Sequence, residues 1–152
     1  QRQMCIRDSN GNNPSGASFV IRFNAALRKG DIDEALSRMQ SFLAGMPNDL
    51  ENKTEKHYQT IIYLIFSLLG YHIRTEEKSA VGRADAVCWT DDSIYVFEFK
   101  VDSTAETALK QIDDKGYMIP YRFEDGKRLV KIGVNISTVT RTIDGWVVDF
   151  CS

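Results

Sequence analysis

Ile94-Tyr95-Val96-Phe97-Glu98-Phe99-Lys100 is the stretch that decides the fold. Successive side chains of a strand point to opposite faces, so Ile94 and Val96 share one face while Tyr95, Phe97 and Phe99 share the other. Apolar residues on both faces place this strand inside a sheet covered on both sides. Glu98 and Lys100 lie on the face of Ile94 and Val96. Charged side chains are rarely buried without a partner or a purpose, so this pair calls for an explanation.

The residues just upstream supply one. Ala84 to Thr90 also has strand character, and Asp91-Asp92 forms a turn before Ile94. A two-residue turn pairs Thr90 with Ser93 and Trp89 with Ile94, which carries Asp85 to a position opposite Glu98. A four-residue loop from Thr90 to Ser93 leaves that pairing unchanged. Opposed residues of an antiparallel pair have Cβ atoms about 4.5 to 5.5 Å apart on one face. Two carboxylates and an ammonium therefore converge. Such carboxylates repel unless one takes a proton or a cation sits between them. A hard divalent cation with oxygen ligands, magnesium or manganese, resolves the conflict. A neighbouring lysine can then orient or deprotonate a water while the metal stabilises charge on a phosphate. These residue types suit metal-assisted phosphodiester hydrolysis.

Further out, Tyr71 to Glu77 reads as another strand, giving a three-strand meander with the two above. Before it, Lys53 to Leu69 reads as a helix with Glu55, Gln59, Ile62, Phe66 and Leu69 on one stripe and Gly70 as its C-terminal cap. Phe19 to Leu27 and Ile32 to Leu43 read as two short helices separated by Gly30-Asp31, with Pro47-Asn48 breaking the chain after them. On the other side, Ser103-Thr104-Ala105-Glu106 has the form of a capping box, opening a helix through Ala105, Ala108, Leu109 and Ile112 that stops at Gly116. Leu129 to Val134 and Gly145 to Phe150 complete the strands. The order predicts an α/β protein with a mixed sheet between helical layers.

The chain has 152 residues, enough for one domain with a substantial core. Residues 1–16 are polar and aperiodic and read as a disordered or artefactual tail. Residues 17–152 then form the domain, beginning with the two short helices at about 19–45. Cys5, Cys88 and Cys151 show no disulfide or zinc spacing. No apolar run approaches the roughly 20 residues that span a bilayer, and no signal-peptide pattern opens the chain. These features suit a soluble cytoplasmic protein. A net charge of −2 argues against gripping nucleic acid by bulk electrostatics. Arg74, Lys78, Arg83, Lys100, Lys110, Lys115, Arg122, Lys127 and Arg128 could still form a local basic strip.

Ala84-Asp85, twelve residues and Glu98-Phe99-Lys100, between a helix with Glu55 and a helix with Gln111, resemble the PD-(D/E)XK superfamily of restriction-endonuclease-like nucleases. Gly82-Arg83-Ala84-Asp85, Ala108-Leu109-Lys110-Gln111-Ile112 and Lys115-Gly116-Tyr117 look in addition like the nuclease-like domain at the carboxyl end of bacterial AAA-ATPase-like proteins. The resemblance runs from about Phe19 to Asp149. It implies a three-layer α/β/α fold, with Asp85 and Glu98 as metal ligands and Glu55 as a further acidic group at the metal. Lys100 would position the attacking water. Gln111, Lys115, Tyr117 and Arg83 would stand on the substrate side, toward nucleic acid and most simply DNA. Ala84 replaces the motif's proline, a position that varies widely in the superfamily. The ATPase portion is absent, which fits a fragment of a longer protein.

Plainer readings exist for each residue. Glu98 and Lys100 could form a strand-edge ion pair, and Asp85 could serve a turn after Gly82. Glu55 is favoured in a first helical turn by the helix dipole. Gln111 could be an ordinary polar helix residue, and Lys115 could serve the helix end near Gly116. The sequence thus leads to a metal-dependent nuclease domain. Its alternative is a catalytically silent nucleic-acid-binding or regulatory module of an AAA-type ATPase.

Overall fold

In the computed structural model, residues 16–46, 55–70 and 85–151 are described. The expected strand Tyr71 to Glu77, the residue Arg83 and the opening tail up to residue 15 lie outside the described residues. The described residues hold four α-helices, four strands and a short 3-10 helix (Ile119–Tyr121): α1 (Gly16–Lys29), α2 (Ile32–Ala44), α3 (Glu55–Leu68), β1 (Ala86–Trp89), β2 (Ser93–Val101), α4 (Ala105–Asp114), β3 (Arg128–Ser137) and β4 (Thr142–Cys151). The strands form one mixed sheet in the order β1-β2-β3-β4. β1 and β2 are antiparallel, β2 and β3 parallel, β3 and β4 antiparallel. A parallel pair needs a crossover, and α4 supplies it.

The alternation along β2 divides the interior. Tyr95, Phe97 and Phe99 pack with Val130, Ile132 and Val134 of β3 against α1, α2 and α3. Ile94 and Val96 face α4, where Ile112 and then Tyr117 and Tyr121 close a smaller core. The two-faced reading of this strand is therefore what the structure has. On α3 the buried residues are Tyr58, Ile62, Ile65 and Phe66, a wider apolar stripe than the one expected.

Helices α1 and α2 form a hairpin turned at Gly30, whose φ of 79° suits a residue without a side chain. Asp31 caps α2 by accepting from the Glu34 amide. The hairpin is tied to the sheet's far edge. Gln40 Nε2 donates to the Ile143 carbonyl at 2.7 Å, the Thr142 hydroxyl donates to the Gln40 carbonyl at 2.5 Å, and Trp146 Nε1 donates to Asp33 at 2.8 Å.

The position of α4 is set by the row of β3 residues beneath it: Leu129, Lys131, Gly133 and Asn135. A Cβ built on Gly133 would stand 2.3 Å from the Ala105 carbonyl oxygen and 2.6 Å from the Leu109 nitrogen. Backbone meets backbone there, which only glycine permits. Asn135 Oδ1 accepts from the Ser103 amide at 2.9 Å, while its Nδ2 donates to Asp144. The N-cap falls one residue later than the sequence pattern suggested. Thr104 caps α4, its hydroxyl oxygen accepting from the Thr107 amide at 3.0 Å.

Gly133→Ala should lower stability by about 1–3 kcal/mol, the usual cost of forcing extra volume into a packed interior. Urea unfolding of the two proteins checks this, and an unchanged midpoint would show that α4 rides clear of β3.

Candidate active site

The observed register is the one the turn dictates. Ala86 pairs with Phe97, Val87 with Val96, Cys88 with Tyr95 and Trp89 with Ile94. The Thr90 amide closes the turn on the Ser93 carbonyl at 2.9 Å, and Asp92 caps it by accepting from the hydroxyls of Ser93 and Thr90. Those two hydrogen bonds hold the Asp92 carboxyl below its ordinary pKa. Continuing the pairing by one step sets Asp85 opposite Glu98.

Asp85 sits in a bend just before β1, and its Oδ2 accepts from the Phe99 amide at 2.9 Å. The carboxylate thus takes a β2 amide at the point where the β1 ladder begins. A charged acceptor held by a backbone donor makes a strong hydrogen bond and fixes the side chain. Glu98 is 3% exposed, far into the layer beneath α4. Its Oε1 accepts from Gln111 Nε2 and lies 3.8 Å from Lys100 Nζ. Gln111 Oε1 in turn accepts from Lys100 Nζ, and Gln111 Nε2 also reaches the Tyr117 hydroxyl at 3.2 Å. One amide therefore bridges the acid and the base, its oxygen toward the ammonium and its nitrogen toward the carboxylate.

The remaining expected residues are Lys115, Tyr117, Glu55 and Arg83. Lys115 is exposed at the C-cap of α4, and Tyr117 is buried behind Gln111. Glu55 opens α3, but its side chain is outside the described residues, as is all of Arg83. The structure thus brings together Asp85, Glu98, Lys100, Gln111 and Tyr117. The sequence reading missed Gly133 and Asn135, which lie beside Glu98 and Lys100 in the parallel register. A glycine and an asparagine on one face of an apolar strand are the signal that could have found them.

Residues 53–146, more than half of the chain, match the model of the PD-(D/E)XK nuclease superfamily. This chain belongs to that superfamily. The four-stranded mixed sheet with helices on its two faces agrees with the restriction-endonuclease-like architecture. A protein of Azotobacter chroococcum mcd 1, described only as an uncharacterized protein in the vnfD 5′ region, is 34% identical over 116 residues. That match covers 72% of this chain and 22% of the relative, so the chain spans about a fifth of the relative's length. No described helix is long and apolar enough to cross a membrane.

Nucleases of this superfamily generally use divalent metals. Among the described residues, no group of three or more His, Cys, Asp or Glu side chains lies close enough to hold one. The described acids at the site are the two opposed carboxylates. That donor set is oxygen only and doubly negative, which fits a hard cation that keeps waters and takes substrate oxygens as further ligands. Glu98 Oε2 is buried as well.

Gln111→Leu removes the donor to Glu98 and the acceptor for Lys100 while keeping much of the side-chain volume. Leaving a buried carboxylate short of a donor costs about 1–3 kcal/mol. A denaturant midpoint shifted by less than a quarter of that would mean the bridge contributes nothing.

Proposed function

We propose that this domain is a metal-dependent nuclease that hydrolyses phosphodiester bonds, with DNA as its substrate. The observation that supports the reading is the linkage of Lys100 to Glu98 through Gln111, with Asp85 held by the Phe99 amide one position beyond the end of the β1–β2 ladder. Asp85 and Glu98 would hold magnesium or manganese, with Glu55 as a further acidic ligand. The bound cation would neutralise the two carboxylates and stabilise charge on the phosphate.

The chain's own residues then have distinct tasks. Lys100 has a quarter of its side chain open to solvent, so its ammonium can meet a water while its stem stays packed. It orients that water or takes its proton, a role that requires a positioned base. Gln111 keeps Lys100 and Glu98 at a fixed spacing, and Tyr117 supports Gln111 from behind. Lys115 and Arg83 are assigned to substrate phosphate on the strength of the family resemblance. An ATPase in a longer protein is the proposed partner, and the relative, of which the match covers 22%, has room for a further domain of that size.

Calorimetric titration of magnesium and manganese into the domain, followed by cleavage of plasmid, single-stranded DNA and RNA, tests the proposal. Glu98→Gln should abolish both metal binding and cleavage. Lys100→Met should leave metal binding intact and lower the cleavage rate by roughly 100-fold or more, the usual contribution of a positioned acid or base. Absence of metal binding by the intact domain would sink the nuclease reading and favour a silent nucleic-acid-binding or regulatory module.

A further inference from the structure

Lys131 lies in the middle of β3, in the row beneath α4, where its neighbours in the two registers are Val96 and Asp149. Its side chain is 11% exposed, yet it carries a charge that none of the proposed chemistry uses. Nζ donates to Asp113 of α4 at 2.8 Å and lies 2.8 Å from Asp149 Oδ2 of β4. Burial alone would pull the lysine's pKa down, but the hydrogen bonds to Asp113 and Asp149 outweigh it and push the pKa up. The ammonium therefore stays charged between two carboxylates.

Asp113 is an unexpected residue where it stands. It lies in the last turn of α4, where the helix dipole disfavours a negative charge. Lys131 compensates for that placement. Asp113 is two residues from Gln111, and the β3 row fixes α4 at three points: Asn135 at its start, Gly133 under its first half, and Lys131 at its end. Of these three, Lys131 is the one tied to the turn that carries Gln111.

We propose that Lys131 is a positioning residue, which through Asp113 sets the position from which Gln111 bridges Glu98 and Lys100. The inference rests on the site as read above, but its test does not depend on catalysis. Asp113→Asn takes the charge out of the tie to α4, leaving at most a neutral hydrogen bond there, and leaves Lys131 ion-paired with Asp149. Asp149→Asn does the same to the tie to β4 and leaves the ion pair to α4 intact. Both remove one ion pair from the same lysine, so a purely stabilising role predicts equal effects.

The first measurement is solvent exchange and chemical shift of the Gln111 side-chain amide by NMR in all three proteins. Faster exchange and an altered shift in Asp113→Asn, with Asp149→Asn unchanged, is the expected result. The second is cleavage: kcat should fall about tenfold in Asp113→Asn, since displacements near 1 Å can cost up to 100-fold, with KM held within about twofold. Asp149→Asn should keep kcat within about twofold, well inside that span. Asp113→Glu, which restores the carboxylate, should recover most of the loss. An unaltered Gln111 amide in Asp113→Asn, or equal changes in both variants, overturns the proposal. A wild-type domain that cleaves nothing would refute the nuclease reading, while the Gln111 amide would still decide this one.

Discussion

A carboxylate buried on a central strand is the constraint around which the rest of the structure is arranged. Glu98 is almost wholly removed from water, and an isolated charge in such a place would take up a proton or unfold its surroundings. It is kept in place because a polar side chain of α4 meets it, and that is possible only because α4 comes very close to the sheet. Gly133 sits beside Glu98 in the parallel register and has no side chain to hold the helix away. The acid, the glycine and the amide form one arrangement. Each of the three would be a defect without the other two.

The helical hairpin at the start of the chain lies before the segment that matches the superfamily model, yet it is not an appendage. Phe19, Phe23, Leu27, Leu36 and Met39 are buried in the same core as Phe97 and Ile132. Phe19 and Phe42 stack across the hairpin with ring centroids 4.3 Å apart. Three hydrogen bonds then hold α2 to β4, each adding about 1 kcal/mol to the apolar burial. The hairpin covers one face of the sheet and α4 covers the other. The site lies on the α4 face, and the hairpin packs behind it against β2 and β3.

Much of this was legible in the sequence because the informative signals were local. Alternation along Ile94 to Lys100 gave both the central strand and the burial of its charges. The short turn at Asp91-Asp92 admitted one pairing only, and the register from Trp89–Ile94 to Ala86–Phe97 is the one that counting from it gives. Helix ends followed Gly30, Gly70 and Gly116, all with positive φ in the structure. What escaped notice depends on contacts between distant elements. Nothing local marks Asn135 as the partner of Ser103 32 residues away, or Lys131 as the partner of Asp113. The cap of α4 lies at Thr104, next to the Ser103 that Asn135 holds.

The parallel pairing of β2 with β3 has a kinetic meaning as well. β1 and β2 are joined by a tight turn and can zip from it within microseconds, the timescale of an isolated hairpin. That event aligns Asp85 with Glu98 but leaves both in water. Glu98 loses its hydration only when β3, some 35 positions along the chain in register terms, has docked beside β2 and α4 has settled over Gly133. Contacts so far apart in sequence form late because the loop entropy must be met before they contribute. Contact separation along the chain thus leads to the expectation that the carboxylates are aligned early and dehydrated late, the desolvated acid forming with the layer that encloses it.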